Sequence, residues 1–585
     1  MSKSLIKKAL VFGIIILFIG GLITPIISGN ISKNNNIKSV KNIDITNPIQ
    51  SNSRESHTTS NTDWWPMFRH DPGNTGCTTS IAPNTNQLCW KKKISDMMYS
   101  ATPVVYNDRL YISTSSYYYD ILEQLKITEK TMLEAPDFTE ILKDLTTYKE
   151  EYNEGVYCLD ADTGTELWNY PLYAPNDPLV VDNKIFVTAI NISTASSSLY
   201  CLDAETGDNI WDKPVGGSVL SPTIGADNKI FLDCFNYYNF TDSLICLDFD
   251  GNSIWTYPLP KYEIICYSAP AYYDDKVYFI TLDFHSYYQG KLYCLDADTG
   301  QYIWSQPIYT LIGYLSSPSP VCKDGKVFAV DFNYYDYSSN LMCFDADTGN
   351  LTYKYPIGVY SAVLGTPAIS QDSVFIVALD IFSSLSWLYK IFINCTLDWK
   401  VMIPSGASPI SFCSPVCSAN KVIVYSLDYY AYTSNIYCIE IENGNILWSY
   451  ILDYPTMSNP SIADERAYIA DYSGNIYAFE DELKINKISG SILCAKAEIK
   501  NKGASDLKNI SWNIDVVGGI FDMIDKHTEG NIPTLQGNTS KTVRAFPIFG
   551  LGNVEIEVSV SMPGQSPIKK NLNGLVLGLI VIVKS

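Results

Sequence analysis

The sequence predicts an all-β fold: an eight-bladed β-propeller closed by an N-terminal strand, with a helical-hairpin insertion and a C-terminal immunoglobulin-like β-sandwich. Three observations carry this. First, a phrase running from Val156 to Trp168 returns as Leu199 to Trp211 and Leu292 to Trp304, with worn copies ending at Trp255, Tyr353, Trp399 and Trp448. The closing aromatics recur every 43–49 residues, the length of one four-stranded propeller unit. Second, a small or polar residue precedes proline on the same beat, at Pro103, Pro178, Pro222, Pro270, Pro320, Pro367, Pro415 and Pro460. Third, past residue 500 the repeat gives way to strict alternation. Ile510, Trp512, Ile514 and Val516 share one strand face, and Val554, Ile556, Val558 and Val560 share another, the period of a half-buried strand.

In chain order, residues 1–29 read as a signal or anchor: Lys3, Lys7 and Lys8 precede an apolar run from Ala9 to Ile27. That run is long enough to cross a bilayer. The basic end stays cytoplasmic and the rest lies outside. An uncleaved anchor over 9–28 is the preferred reading, with Ser28-Gly29 the alternative cut. Residues 30–62, rich in Asn, Ser and Thr, form a flexible tether. The propeller occupies 63–482. Each unit reads as four short strands: proline opens the first, a polar turn leads to the second, a Leu-Tyr-Cys-Leu-Asp run is the third, and Asp-Thr-Gly turns into the strand that carries Trp. The eighth unit stops near Glu480 without a Trp strand, while Gln87 to Lys91 is a Trp strand without a unit. Joining them closes the ring and removes free sheet edges.

Residues 116–154 interrupt the first unit. Phe138, Ile141, Leu142, Leu145 and Tyr148 keep a helical period, and Asp137 with Glu140 forms a capping box. A helical hairpin is expected there, either a decorative insertion or a partner-docking element. After the junction Asp481 to Lys484, residues 487–585 form the sandwich, with the apolar tail Leu575 to Val583 as its buried last strand.

The repeat, with Ala-x-Asp-x-x-Thr-Gly-x-x-x-Trp spacing, resembles the pyrroloquinoline quinone (PQQ)-type β-propeller family, and Trp64 to Gly76 resembles the motif that opens many exported members. The resemblance implies that the repeated aromatics pack between neighbouring blades, giving Trp90, Trp168, Trp211, Trp255, Trp304, Tyr353, Trp399 and Trp448 a structural role. Tyr353 departs from the pattern, and the Trp399 unit lacks a clear Asp-Thr-Gly turn. The C-terminal strands resemble, less closely, immunoglobulin-like modules of cell-surface proteins.

Composition narrows function. A net charge of −21 argues against nucleic acid, whose recognition needs a basic stripe. Four His leave little for zinc sites, and neither Cys-x-x-Cys nor Gly-x-Ser-x-Gly occurs. Cys158, Cys201, Cys246, Cys294, Cys343 and Cys438 share one repeat position and read as small core residues, too far apart between blades to bridge. Cys413 with Cys417 and Cys77 with Cys89 are candidate pairs. Quinone-dependent members of the resembled family hold PQQ on the axis with Ca²⁺, carboxylates and often adjacent cysteines. No adjacent Cys pair exists here, so PQQ and Ca²⁺ are unsupported and no catalytic or cofactor residue is assigned.

The expected function is a non-catalytic scaffold at the outer cell surface, anchored or secreted, that binds envelope proteins or glycans. The alternative is a PQQ/Ca²⁺-dependent dehydrogenase of alcohols or sugars. Tyrosine-rich segments at 117–119, 237–238, 287–288, 334–335 and 429–430 suit such recognition. Seven Asn-x-Ser/Thr sites and the anchored design suggest an archaeal-style envelope glycoprotein.

Overall fold

The computed structural model describes residues 62–585, less 96–97, 99–100, 116–153, 192–195, 237–238, 240, 266–267, 284–288, 310–317, 334–336, 384, 405–408, 411–412, 429–430, 504, 564–566 and 584–585. The expected signal or anchor, nearly all of the tether, the helical hairpin and the five tyrosine-rich segments therefore lie outside the described residues. Among the described residues no helix is long and apolar enough to cross a membrane. The described chain is all-β, and its only helical element is a single 3₁₀ turn, Ile520–Asp522.

The first repeat folds as four antiparallel strands in chain order: Val104–Tyr106, Arg109–Thr114, Gly155–Asp160 and Glu166–Pro171. Six further sheets of this kind follow within 179–214, 224–258, 271–309, 321–359, 361–403 and 409–451, the last two with one extra short strand. The prolines of the repeat sit one or two residues before the innermost strands, where a missing N–H costs no ladder bond. Two-residue turns such as Asn107-Asp108, Asp182-Asn183 and Asp227-Asn228 follow, with positive φ at both positions. That is the turn whose twist matches a hairpin. Inner strands are buried on both faces, as in Lys184–Asn191, whereas outer strands such as Glu166–Pro171 are largely exposed.

The eighth sheet joins distant parts of the chain. Its strands are ordered Leu88–Lys93, Asn475–Glu480, Arg466–Ala470 and Ser461–Ala463, and Trp90 stands opposite Ala478. Arg466, almost fully buried, ties this sheet to its neighbours: it donates to Glu480 at 3.0 Å and pairs with Asp162 of the first sheet. Lys502, from the C-terminal strands, pairs with the same Glu480.

A new strand, Leu483–Ser491, begins three residues after Glu480. It joins Cys494–Asn501 and Ser540–Ala545 in a three-stranded sheet. Ile524–Leu535, Leu507–Gly518, Gly550–Ser561, Ile568–Gly578 and Ile580–Val583 form a five-stranded one. The alternating residues meet between them: Ile485, Ile499, Ile510, Ile514, Ile556 and Val558 belong to one core. The tail departs from expectation. It is a hairpin around Gly578 (φ +63°), in which Val576 and Val581 face inward while Leu577, Leu579, Ile580 and Ile582 remain exposed. Period-two alternation across the turn buries only one of two apolar faces.

Trp90→Ala should destabilise the chain by about 3–5 kcal/mol, and deletion of residues 86–91 by more, because Asn475–Glu480 would become an open edge. Thermal denaturation checks this; an unchanged melting temperature for the deletion contradicts the pairing.

Candidate functional site

Innermost strands of a propeller are sheet edges, with unpaired backbone groups facing the axis. Here residues 65–78 pair with them. Trp65 exchanges backbone bonds with Val105 of the first sheet at 2.8 and 2.9 Å. The N–H of Val180 (second sheet) then donates to Pro66 O, Tyr272 (fourth) to Pro72 O, Cys322 (fifth) to Gly73 O, Ile369 (sixth) to Thr75 O and Cys417 (seventh) to Gly76 O, all at 2.7–2.8 Å. Met67 and Phe68 pack with Ile224 of the third sheet. The segment thus visits seven sheets in chain order.

Two side chains reinforce it. Arg69, fully buried, donates through Nη1 to Pro415 O (2.7 Å) and through Nη2 to Pro367 O (2.8 Å). Asn74 Nδ2 donates to Pro270 O and Pro320 O. The repeated prolines therefore present carbonyls to the axis, and the segment reads four of them. Burial lowers the Arg69 guanidinium to about 10, still charged at neutral pH. Gly76 (φ +63°) is required here: a Cβ would lie 2.1 Å from Arg69 Nη2.

His70 anchors the start of the segment. Its ring nitrogens face Asp63 (3.1 Å) and Asp71 (3.3 Å), and Trp65 contacts it edge-on at 5.0 Å. Burial opposes the imidazolium, but the two carboxylates raise it to about 9. Burial likewise opposes the Asp63 carboxylate, yet His70 and Thr79 hold it well below the usual range.

The repeated aromatics meet the next sheet in turn. Nε1 of Trp90 donates to Ala161 O, Trp168 to Ala204 O, Trp255 to Ala297 O, Trp304 to Ala346 O and Trp399 to Ile441 O, at 2.9–3.3 Å. Trp448 donates to Pro83 O (2.9 Å) instead, and buried Trp211 Nε1 has no partner. Every one of these indoles except Trp448 covers the turn glycine of the following sheet. A Cβ on Gly164, Gly207, Gly251, Gly300, Gly349 or Gly444 would come within about 3 Å of the preceding sheet's indole. Across the strand pair, Cys158, Cys201, Cys246, Cys294 and Cys438 face Trp168, Trp211, Trp255, Trp304 and Trp448, and Cys343 faces Tyr353. All six are buried, and burial pushes thiols such as Cys158 and Cys294 up to about 12. Among the described residues no disulfide joins Cys413 to Cys417 or Cys77 to Cys89, and Cys77 lies beside Cys417 across a backbone bridge.

The two departures from the repeat compensate each other. Tyr353 is exposed, and the turn of the following sheet has Cys395 at φ +61° where other repeats have glycine.

Alternate connections of an antiparallel meander emerge on opposite sides. One face carries the two-residue and Asp-Thr-Gly turns; the other carries all second-to-third-strand and sheet-to-sheet connections. On this loop face Asp233 and Asp242 hold backbone. Asp233 accepts from Leu220 N and Ser221 N, and Asp242 accepts from Cys234 N and Ile265 N. Burial raises both carboxyl groups. Also on this face is an aromatic cluster. Tyr360 stacks on Tyr337 (6.1 Å) and meets Phe382 edge-on (4.2 Å). Phe382 is 74% exposed, held in a turn whose Phe382 and Ser383 amides donate to Asp380. Tyr337 and Tyr360 have φ of +57° and +59°, a left-handed conformation that bulky side chains adopt rarely, chiefly in turns.

These residues do not fit PQQ with Ca²⁺. Among the described residues, the axis at the level of the inner strands holds the chain's own segment and the buried Arg69 guanidinium, Asp233 and Asp242 are engaged by loop amides, and Glu263 is engaged by Thr281, Tyr293 and Lys291. Among the described residues no group of three or more His, Cys, Asp or Glu is arranged to hold a metal.

Comparison with known proteins agrees with the repeat. A family model described as the outer membrane protein assembly factor BamB matches residues 152–387. A europium-containing methanol dehydrogenase structure is similar with a TM-score of 0.50 at 11% identity, over 72% of this chain and 98% of that one. BamB from Moraxella catarrhalis aligns at 0.43 and 15%, over 67% and 98%. The quinohemoprotein alcohol dehydrogenase from Comamonas testosteroni aligns at 0.49 and 14%, over 71% and 80%. No curated protein matches in sequence. At such identities the structures speak to fold alone, that of a β-propeller, and the family match supports PQQ-type repeats over residues 152–387.

Arg69→Met leaves two buried carbonyls unpaired and should cost about 2–4 kcal/mol; Gly76→Ala should be at least as damaging, both read by denaturant unfolding. The raised His70 value works in one direction. Its contribution, roughly 3 kcal/mol for a shift from 6.5 to about 9, is complete below pH 6.5 and is lost as pH rises through 9. Stability should therefore fall between those limits, and His70→Gln should flatten that slope. An identical slope in the variant contradicts the assignment.

Proposed function

We propose that this chain is a non-catalytic, extracytoplasmic scaffold of the cell envelope whose propeller loop face binds a protein or glycan partner. In this reading the eight sheets are eight blades spanning 63–482, closed by Leu88–Lys93. The indoles of Trp90, Trp168, Trp211, Trp255, Trp304, Trp399 and Trp448 pack between blades, as Tyr353 would. Residues 487–585 act as an immunoglobulin-like module, and residues 9–28, if uncleaved, supply the membrane tether.

The observation that carries the proposal is the cluster of Tyr337, Tyr360 and Phe382. A large apolar side chain is held outward by Asp380 on a face where, among the described residues, no nucleophile, base and orienting group converge. Rigid, amphipathic aromatics offer contact area at low entropic cost. The assembly-factor description of the matching family model supports a protein-contact role. Six acceptor-type asparagines, Asn191, Asn239, Asn350, Asn394, Asn509 and Asn538, are exposed, which is compatible with life outside the cytoplasm.

The test is retention of envelope components on immobilised full-length chain, run beside titration with PQQ and Ca²⁺ and a dye-linked alcohol oxidation assay. The double variant Tyr360→Ala, Phe382→Ala should lose the retained partner, while Phe382→Ala alone should shift stability by less than about 0.5 kcal/mol. Equal retention by wild type and double variant contradicts the loop-face site. Quinone uptake with turnover contradicts the scaffold reading.

A further inference from the structure

The far end of the C-terminal sheets carries a concentration of exposed apolar side chains that the fold does not use. Four turns meet there. Leu493 N donates to Leu579 O, Ile548 N donates to Leu493 O, and Gly519 N donates to Asn553 O. The opposite end adjoins the propeller through Lys502, which pairs with Glu480. Every exposed large apolar residue of 483–583 is at or beside this far end. The most prominent are Phe521 (90% exposed), Met523 (81%), Ile492 (71%) and Phe549 (66%), with Phe546 and Leu579 between them. Exposure this high means that the side chains project rather than line a groove. The turns 491–494, 519–523, 546–551 and 577–580 contain a single charged residue, Asp522.

Charge beside this tip is one-sided. The outward positions of the three-stranded sheet nearest the tip hold Lys496 and Arg544; Lys487 stands opposite Glu498 in mid-sheet, and Lys500 and Lys484, the latter paired with Glu465, lie at the propeller end. Lys496 and Arg544 are directly paired, one position from Ala495 and Ala545, which begin the tip. The five-stranded sheet turns Asp515, Asp525, Glu529, Glu555 and Glu557 outward, with Lys569 beside Glu557 and His527 beside Asp515.

We propose that this end is a peripheral membrane-insertion site. The projecting apolar turns enter the outer part of a bilayer, and the Lys496–Arg544 side of the three-stranded sheet lies against anionic lipid headgroups. Projecting side chains with no rigid complement are best covered by a phase that conforms to them. Lys496 and Arg544 supply the electrostatic half of a two-part attachment. The acidic sheet faces away, so the module meets the surface in one orientation. Asp522 stays at headgroup depth.

Hydrogen exchange of the full chain, with and without vesicles of phosphatidylcholine plus phosphatidylglycerol, locates the contact whatever residues 9–28 do. Exchange in 490–494, 517–524, 545–552 and 576–582 should slow about tenfold on adding vesicles, and less with phosphatidylcholine alone. The protection should vanish in Phe521→Ser, Phe549→Ser and weaken in Lys496→Glu, Arg544→Glu, while exchange in the propeller stays as in wild type. The proposal is overturned if vesicle-associated chain shows unchanged exchange in these turns. It is equally overturned if the turns are protected without lipid in proportion to protein concentration, which would mark contact with a second copy.

Discussion

Eight sheets arranged about an axis create a problem at their inner edges: each first strand has ladder groups with no next strand to pair with. Residues 65–78 answer it. Six inner-strand amides, from Val105 to Cys417, donate to this one stretch of backbone. A buried amide left unpaired costs about 1–3 kcal/mol, so six together are on the order of the whole stability of a folded domain. The segment is therefore part of the fold, and its removal is not equivalent to trimming a terminus. Arg69 and Asn74 extend the same logic to four proline carbonyls. The next stretch, Leu88–Lys93, completes the last sheet, so about thirty consecutive residues bind both the middle of the ring and its seam.

Much of this was legible in the sequence. The period, the Trp strand at 87–91 and the worn units at Tyr353 and Trp399 are patterns of residue type at fixed spacing, and local periodicity reports local structure well. The all-β class and the PQQ-type repeat follow from them. The axial path was not legible. Trp64 to Gly76 stood out only as a motif, because its partners are backbone groups hundreds of residues away, and backbone carbonyls leave no signature in composition. The turn glycines were read as backbone necessities alone. Their second constraint, the indole of the preceding sheet, is visible only in three dimensions. The apolar tail was read as buried because a short hydrophobic run cannot reveal that a glycine turn will divide it into inward and outward residues.

The site separates into positions that hold and positions that present. Asp233, Asp242 and Asp380 spend their carboxylates on loop amides, and His70 spends its ring on Asp63 and Asp71. What the loop face presents is aromatic surface, seen at Phe382. The C-terminal sheets repeat the division: their alternating residues close a core, and their far end exposes what the core leaves out.

The central claim concerns the occupancy of the axis by the chain itself, and an experimental density map of the full chain tests it most directly. The account requires the Arg69 guanidinium between the carbonyls of Pro367 and Pro415, with Leu88–Lys93 antiparallel to Asn475–Glu480. An axis free of residues 65–78, or a last sheet completed without Leu88–Lys93, would contradict it.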